Sequence, residues 1–191
     1  MERHGRGYGF FIWKPVVILE ALAGLGPSDI LVYSDIGSTW QVAGRERFRE
    51  YLEICRQSPW GMLSFANTHT ENLWTKADLA VRLNVLDDYN VMATTQLSAG
   101  LIVLRNDSSN RDLVQEWADI AIEEAYHYSD NSPSSTQNHP EFHEHRWDQS
   151  IYSLLAKMRG ASVTHYAAQS YEWAWEEYAD RVPVRATRLR S

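Results

Sequence analysis

Apolar residues recur along this chain in two spacings, and each spacing predicts a different element. After Trp13-Lys14-Pro15, residues Val16, Val17, Leu19, Leu22 and Leu25 follow a helical rhythm that Gly24, Gly26 and Pro27 bring to a stop. Phe48, Leu52 and Cys55 form one stripe of a helix predicted from Arg45 to Gln57. Val114, Trp117, Ile120, Ala121 and Ala125 predict a long amphipathic helix capped by Ser109 or Asn110. Ile151, Leu154, Leu155 and Met158 predict a last one from about Trp147 to Gly160. Leu73 to Asp78 opens a further helix, and Asp87-Asp88 ends it. Short apolar runs at Asp29 to Tyr33, Met62 to Ala66 and Gly100 to Leu104 read instead as buried strands. Tyr128 to Pro140, rich in Ser, Asn and Pro, is a loop. Helix and strand alternate without internal repeats, which predicts an α/β layered domain.

Composition narrows the function classes. With 191 residues, the chain suits one domain spanning 1–191, with a C-terminal tail over 161–191. A formal charge of -7 argues against nonspecific nucleic-acid binding, and the basic stretch from Arg181 to Arg190 reads as solvated. Cys55 is the single cysteine, so no internal disulfide is available, and its place on an apolar stripe predicts a buried thiol. No apolar run approaches the roughly twenty residues of a membrane span, and Met1-Glu2-Arg3-His4-Gly5 does not open a signal peptide, so a cytoplasmic location is expected.

Candidate chemistry begins at Tyr33-Ser34-Asp35, where an acid closes the apolar run and Gly37 follows. In open α/β sheets ligands gather beyond the carboxyl ends of strands, so Asp35 is placed to hold a divalent cation or a diphosphate; capping a turn before Gly37 is the competing account. Lys14 either reaches a phosphate beside the helix that Pro15 opens or is a surface lysine. In His145-Arg146-Trp147-Asp148-Gln149, the Asp148 carboxylate and Gln149 amide can hold sugar hydroxyls while Arg146 offsets phosphate charge. The alternative is an acid in a first helical turn, complementing the dipole. Gly100, preceded by Gln96, either lets a sugar approach the backbone or marks a bulge. Lys76 and Asp78 read as a solvated helix start, and Trp13 as core. His139, His143 and His145 match no zinc spacing, although a metal-dependent hydrolase remains a third option. Gly5, Gly7 and Gly9 precede no strand and fail the dinucleotide-fold context; they read as a flexible lead-in. No Gly-x-Ser-x-Gly elbow supplies a nucleophile. Asp35 and Asp148, if they face each other, would suit glycoside hydrolysis.

Four segments in order then carry a family resemblance: Arg6-Gly7-Tyr8-Gly9-Phe10-Phe11-Ile12-Trp13-Lys14-Pro15, Asp29-Ile30-Leu31-Val32-Tyr33-Ser34-Asp35-Ile36-Gly37, Gln96-Leu97-Ser98-Ala99-Gly100, and His145-Arg146-Trp147-Asp148-Gln149-Ser150. The chain from Arg6 to about Gly160 resembles GT-A-fold glycosyltransferases of polysaccharide-biosynthesis loci. That resemblance implies a three-layer mixed sheet with flanking helices. It also implies transfer of a sugar from a nucleotide-diphosphate donor to a glycan acceptor, with Mn²⁺ or Mg²⁺ as the cofactor. Carried onto this chain, it makes Asp35 and His145 candidate metal ligands. Lys14, Asp35, Gln96, Gly100, Arg146, Asp148 and Gln149 become candidate substrate contacts, and Asp148 the candidate base. Two departures accompany it. The usual N-terminal β-α-β unit that binds the base has no room before Trp13, which implies an N-terminally truncated domain, and Gly37 stands where a second Asp is usual. The alternative expectation is a noncatalytic relative that binds a glycan or a partner protein.

Overall fold

The structure, a computed structural model, describes residues 7–165 and 182–187, so Gly5 and, of the basic C-terminal stretch, residues 181 and 188–190 lie outside the described residues. It opens with one helical turn, α1 (Gly7–Phe10), so Gly7 and Gly9 are part of a turn rather than a flexible lead-in. Next come α2 (Lys14–Ala23), β1 (Ile30–Ser34), β2 (Ser38–Trp40) and α3 (Arg45–Gln57). The long strand β3 (Met62–Thr70) leads to three short helices, α4 (Glu71–Trp74), α5 (Ala77–Arg82) and α6 (Tyr89–Met92). Strands β4 (Thr95–Leu97) and β5 (Leu101–Arg105), then α7 (Ser108–Tyr126), α8 (Trp147–Arg159), β6 (Ser162–His165) and β7 (Val184–Ala186) complete it.

The main sheet is open and mixed. β1 and β3 both pair antiparallel with β5, and β4 continues past β5 along the other half of β3. On the opposite side of β3, β6 pairs in parallel. β2 and β7 form a separate antiparallel ribbon. Helices cover both faces, giving three layers, and the pleat divides the core accordingly. Leu101 and Val103 point towards α3 with Tyr51, Cys55, Leu63 and Phe65. Ile102 and Leu104 point the other way, into the larger core with Ile18 and Leu22 of α2, Trp117 and Ile120 of α7, and Ile151 and Leu155 of α8. Cys55 is fully buried there, its thiol on the Gly61 carbonyl at 3.3 Å.

Differences from the expected elements have local causes. The apolar run through Leu73 and Ala77 breaks into α4 and α5 because Thr75 and Lys76 are extended. Asp107, not Ser109 or Asn110, caps α7, its carboxylate accepting from the Asn110 N–H. That helix breaks at Glu123, whose ψ of 150° is extended, so Ala125 is not on its apolar stripe. Trp13 is 38% exposed rather than core. Among the described residues no helix is long and apolar enough to cross a membrane.

The α8–β3 packing carries one buried polar bond, Ser64 Oγ to Tyr152 Oη at 2.7 Å. Tyr152→Phe leaves the Ser64 hydroxyl without its partner in a dry core. The variant is expected to lose about 1–2 kcal/mol, read as a lower urea midpoint at unchanged slope.

Candidate functional site

Lys14 is the centre of the site. Lys14 is the first residue of α2, with Pro15 next in its opening turn, and its side chain enters the space between the end of β1 and α8, where it is 3% exposed. Its ammonium is 2.8 Å from Asp148 Oδ2 and 3.4 Å from Asp35 Oδ1, and it donates to the Ala99 carbonyl at 3.1 Å. The Ala99 contact is a hydrogen bond and the two carboxylates are ion-pair partners, and the rings of Phe11 and Tyr33 flank the ammonium. Lys14 is therefore not a surface lysine, and its charge is matched by two protein carboxylates.

Asp35 stands beyond the last residue of β1. Its backbone N–H donates to the Gly100 carbonyl at 2.9 Å, and its own carbonyl closes the turn to Ser38. The carboxylate does no capping; it accepts from the Tyr33 hydroxyl at 2.9 Å and faces Lys14. With its side chain 37% exposed, it is the part of the Lys14 cluster open to solvent. Asp148, in the first turn of α8, is 3% exposed, and Oδ2 has the Lys14 ion pair but no directed hydrogen bond.

Burial acts against every charge here, and the counter-charges decide the outcome. Burial pulls the Lys14 ammonium down, but Asp148 and Asp35 outweigh it and hold the group above the usual lysine value. Burial pushes the Asp148 carboxyl up to about 6, with Lys14 pulling the other way. Burial and the neighbouring Asp35 also raise the Tyr33 phenol.

A chain of amides extends inward from this cluster. Gln149 Oε1 accepts from the Ala99 N–H at 3.3 Å, and Gln149 Nε2 donates to Gln96 Oε1 at 2.6 Å. Gln96 Nε2 then faces Glu71 Oε2, Thr75 Oγ1 and Ser150 Oγ at 3.1–3.2 Å. Glu71, fully buried, also takes Lys157 Nζ at 2.8 Å and the Ser153 hydroxyl. Both glutamine amides have protein partners on oxygen or nitrogen, Gln96 buried and Gln149 half-buried. The sequence signal for this network was present but unread. Ser150, Ser153 and Lys157 recur at helical spacing, a polar stripe among Ile151, Leu154 and Leu155 of α8.

Ala99 supplies both backbone contacts because the chain between β4 and β5 leaves the ladder for Ser98–Gly100. Gly100 contributes its carbonyl, which accepts the Asp35 N–H.

The remaining predicted residues lie in other settings. His145 is 4% exposed; its Nδ1 accepts the Lys76 N–H at 3.2 Å and its Nε2–H donates to the Tyr128 carbonyl at 2.8 Å. With both ring nitrogens occupied, His145 does not fit a divalent cation shared with Asp35. Among the described residues no group of three or more His, Cys, Asp or Glu is arranged to hold a metal ion. Arg146 lies with its guanidinium carbon 3.9 Å from the Trp74 ring centroid and pairs with Glu144 at 3.1 Å. His143 also lies against Trp74, and His139 Nδ1 accepts from the Glu141 N–H, so the histidines do not converge. Lys76 is 2% exposed and paired with Asp130 at 3.3 Å, not part of a solvated face.

No family model, no curated protein and no solved structure matches the chain.

Two outcomes follow from these charges. Lys14→Met leaves Asp35 and the buried Asp148 facing each other without a cation. It is expected to destabilise by about 3–5 kcal/mol, part of it recovered in the Lys14→Met/Asp148→Leu pair, both read by urea unfolding. For His145, burial pushes the imidazole down to about 3, so the folded chain keeps it neutral. Between that value and the ordinary one near 6.5 the unfolded chain binds a proton that the folded chain refuses. Its stabilisation is whole above about pH 6.5 and is lost as pH falls, at up to about 1.4 kcal/mol per pH unit. Urea midpoints from about pH 7 to about pH 4.5 should fall less steeply in His145→Gln, which cannot take up the proton.

Proposed function

We propose that this domain transfers a glycosyl group from a nucleotide-diphosphate sugar to a glycan acceptor, in a GT-A-like α/β fold. The observation that supports it is the pairing of Asp35, at the carboxyl end of β1, with Asp148, at the start of α8, through the single Lys14 ammonium. Residues 35 and 148 are far apart in sequence, yet one buried cation brings both to the sheet end where open α/β proteins take ligands. On this reading Asp35, the solvent-facing member, meets the donor. Lys14 fixes its position and screens it from Asp148. Asp148, its carboxyl pushed to about 6, has the proton affinity of a base near neutrality and takes the acceptor's proton once a ligand draws Lys14 away.

A noncatalytic glycan-binding domain is the second reading, and one observation favours it. Lys14, Gln96 and Gln149 all have protein partners without a ligand. Calorimetric titration and thermal shift with UDP-, GDP- and dTDP-sugars, each with and without Mn²⁺, separate the two. Transfer predicts saturable donor binding that weakens about 10–100-fold in Asp35→Asn. Silence across the donors in both metal conditions rules the transfer reading out and leaves the binding domain.

A further inference from the structure

Outside the Lys14 cluster, the segment after α7 folds back onto the start of α5 and brings a hydroxyl, an imidazole and a carboxylate into line. His127 Nδ1 is 2.8 Å from Ser132 Oγ, and His127 Nε2 is 2.8 Å from Asp78 Oδ2. Asp78 cannot turn away, because the Ser135 N–H donates to its Oδ2 at 2.6 Å and the Thr136 N–H to its Oδ1 at 2.7 Å. Lys76 Nζ lies 3.3 Å from Ser132 Oγ and 3.3 Å from Asp130 Oδ1. From this arrangement we propose that Ser132 is an activated nucleophile for carboxylic esters, with His127 as its general base, Asp78 orienting the imidazole and Lys76 countering the oxyanion. No sequence motif announces it, since the triad is assembled by a loop rather than by a strand–turn–helix elbow.

Hydrogen-bond accounting assigns the roles. Burial works against the Asp78 carboxylate, but the two backbone N–H groups and the imidazole prevail and keep it well below the usual range, hence ionised. An ionised carboxylate only accepts, so His127 Nε2 carries the hydrogen, and in the neutral imidazole Nδ1 then presents its lone pair to Ser132. Asp130 Oδ1 is also within 2.5 Å of Ser132 Oγ and competes for the same hydroxyl proton. Against its own burial, the Ser132 contacts and the Lys76 ammonium hold Asp130 below the ordinary carboxylate value. It therefore stays a carboxylate, a second acceptor that holds the Ser132 hydroxyl beside Nδ1. Ser132 is half-buried, with exposed Asn131 and Pro133 on either side.

The step balances within these residues and an ester. Ser132 Oγ bonds to the ester carbonyl carbon as its proton passes to His127 Nδ1, and negative charge gathers on the carbonyl oxygen beside Lys76. The carbon–oxygen bond to the alcohol breaks, and the alcohol leaves with the proton from His127. Water, deprotonated by the same nitrogen, then releases the acid and restores Ser132.

A fluorophosphonate probe tests the nucleophile directly, because Oγ–P formation with loss of fluoride needs the same base. Peptide mass spectrometry of the labelled, folded chain should place the adduct on Ser132, with none in Ser132→Ala. The labelling rate should drop about 10²–10⁴-fold in His127→Ala at unchanged far-UV circular dichroism. Ser109→Ala, an exposed serine at the far end of α7 from His127, should label as the parent does. A folded parent chain that gives no Ser132 adduct overturns the proposal, as does a labelling rate indifferent to His127. Because the readout is covalent modification, neither result depends on nucleotide-sugar binding at Asp35.

Discussion

One ammonium group without access to water fixes the geometry around it. Lys14 begins α2, Asp35 follows β1, Ala99 lies between β4 and β5, and Asp148 opens α8; the lysine touches all of them. Burying a cation is tolerable only where opposite charge and hydrogen bonds replace its water, so the four segments must arrive together or none is stable there. The two carboxylates in turn need the cation, since they would repel each other without it. A tie of this kind constrains position more tightly than apolar packing, because distance and charge must both be right.

A second buried charge anchors the same helix further along. Glu71, at the start of α4, receives Lys157, Ser153, Thr75 and Gln96, which saturates its oxygens. Gln96 passes that order on: its amide nitrogen is claimed on the Glu71 side, so its oxygen must face Gln149, whose own oxygen must then face Ala99. The two amide orientations are thereby fixed from one end of the chain of bonds to the other. Ionic contacts tie α8 near both ends, to α2 through Lys14 and to α4 through Glu71, and Ile151, Leu154 and Leu155 pack its middle into the core.

Much of the layer structure was legible because it rests on local periodicity. The α3 boundaries from Arg45 to Gln57 agree with the apolar stripe, and the β1, β3 and β5 runs were visible as short apolar stretches. Strands β2, β4, β6 and β7 were not, because each is only three or four residues long and its pairing depends on a distant partner. The site divides in the same way. Asp35, Asp148 and Lys14 could be picked out as acids and a base beside element ends, but their mutual contact is long-range and no spacing encodes it. Lys76 and Asp78 were misread for the opposite reason. Polar residues beside a loop are usually solvated, and here the segment from Tyr128 to Arg146 returns to cover them.

The break between β4 and β5 has a wider consequence. Ala99 meets Gln149 and Lys14 through its peptide N–H and carbonyl, groups that every residue except proline carries in full. These two anchors are therefore written in the route of the main chain rather than in a side-chain alphabet. A relative could exchange the residue at this place and keep both contacts, so the resemblance that matters there is one of path.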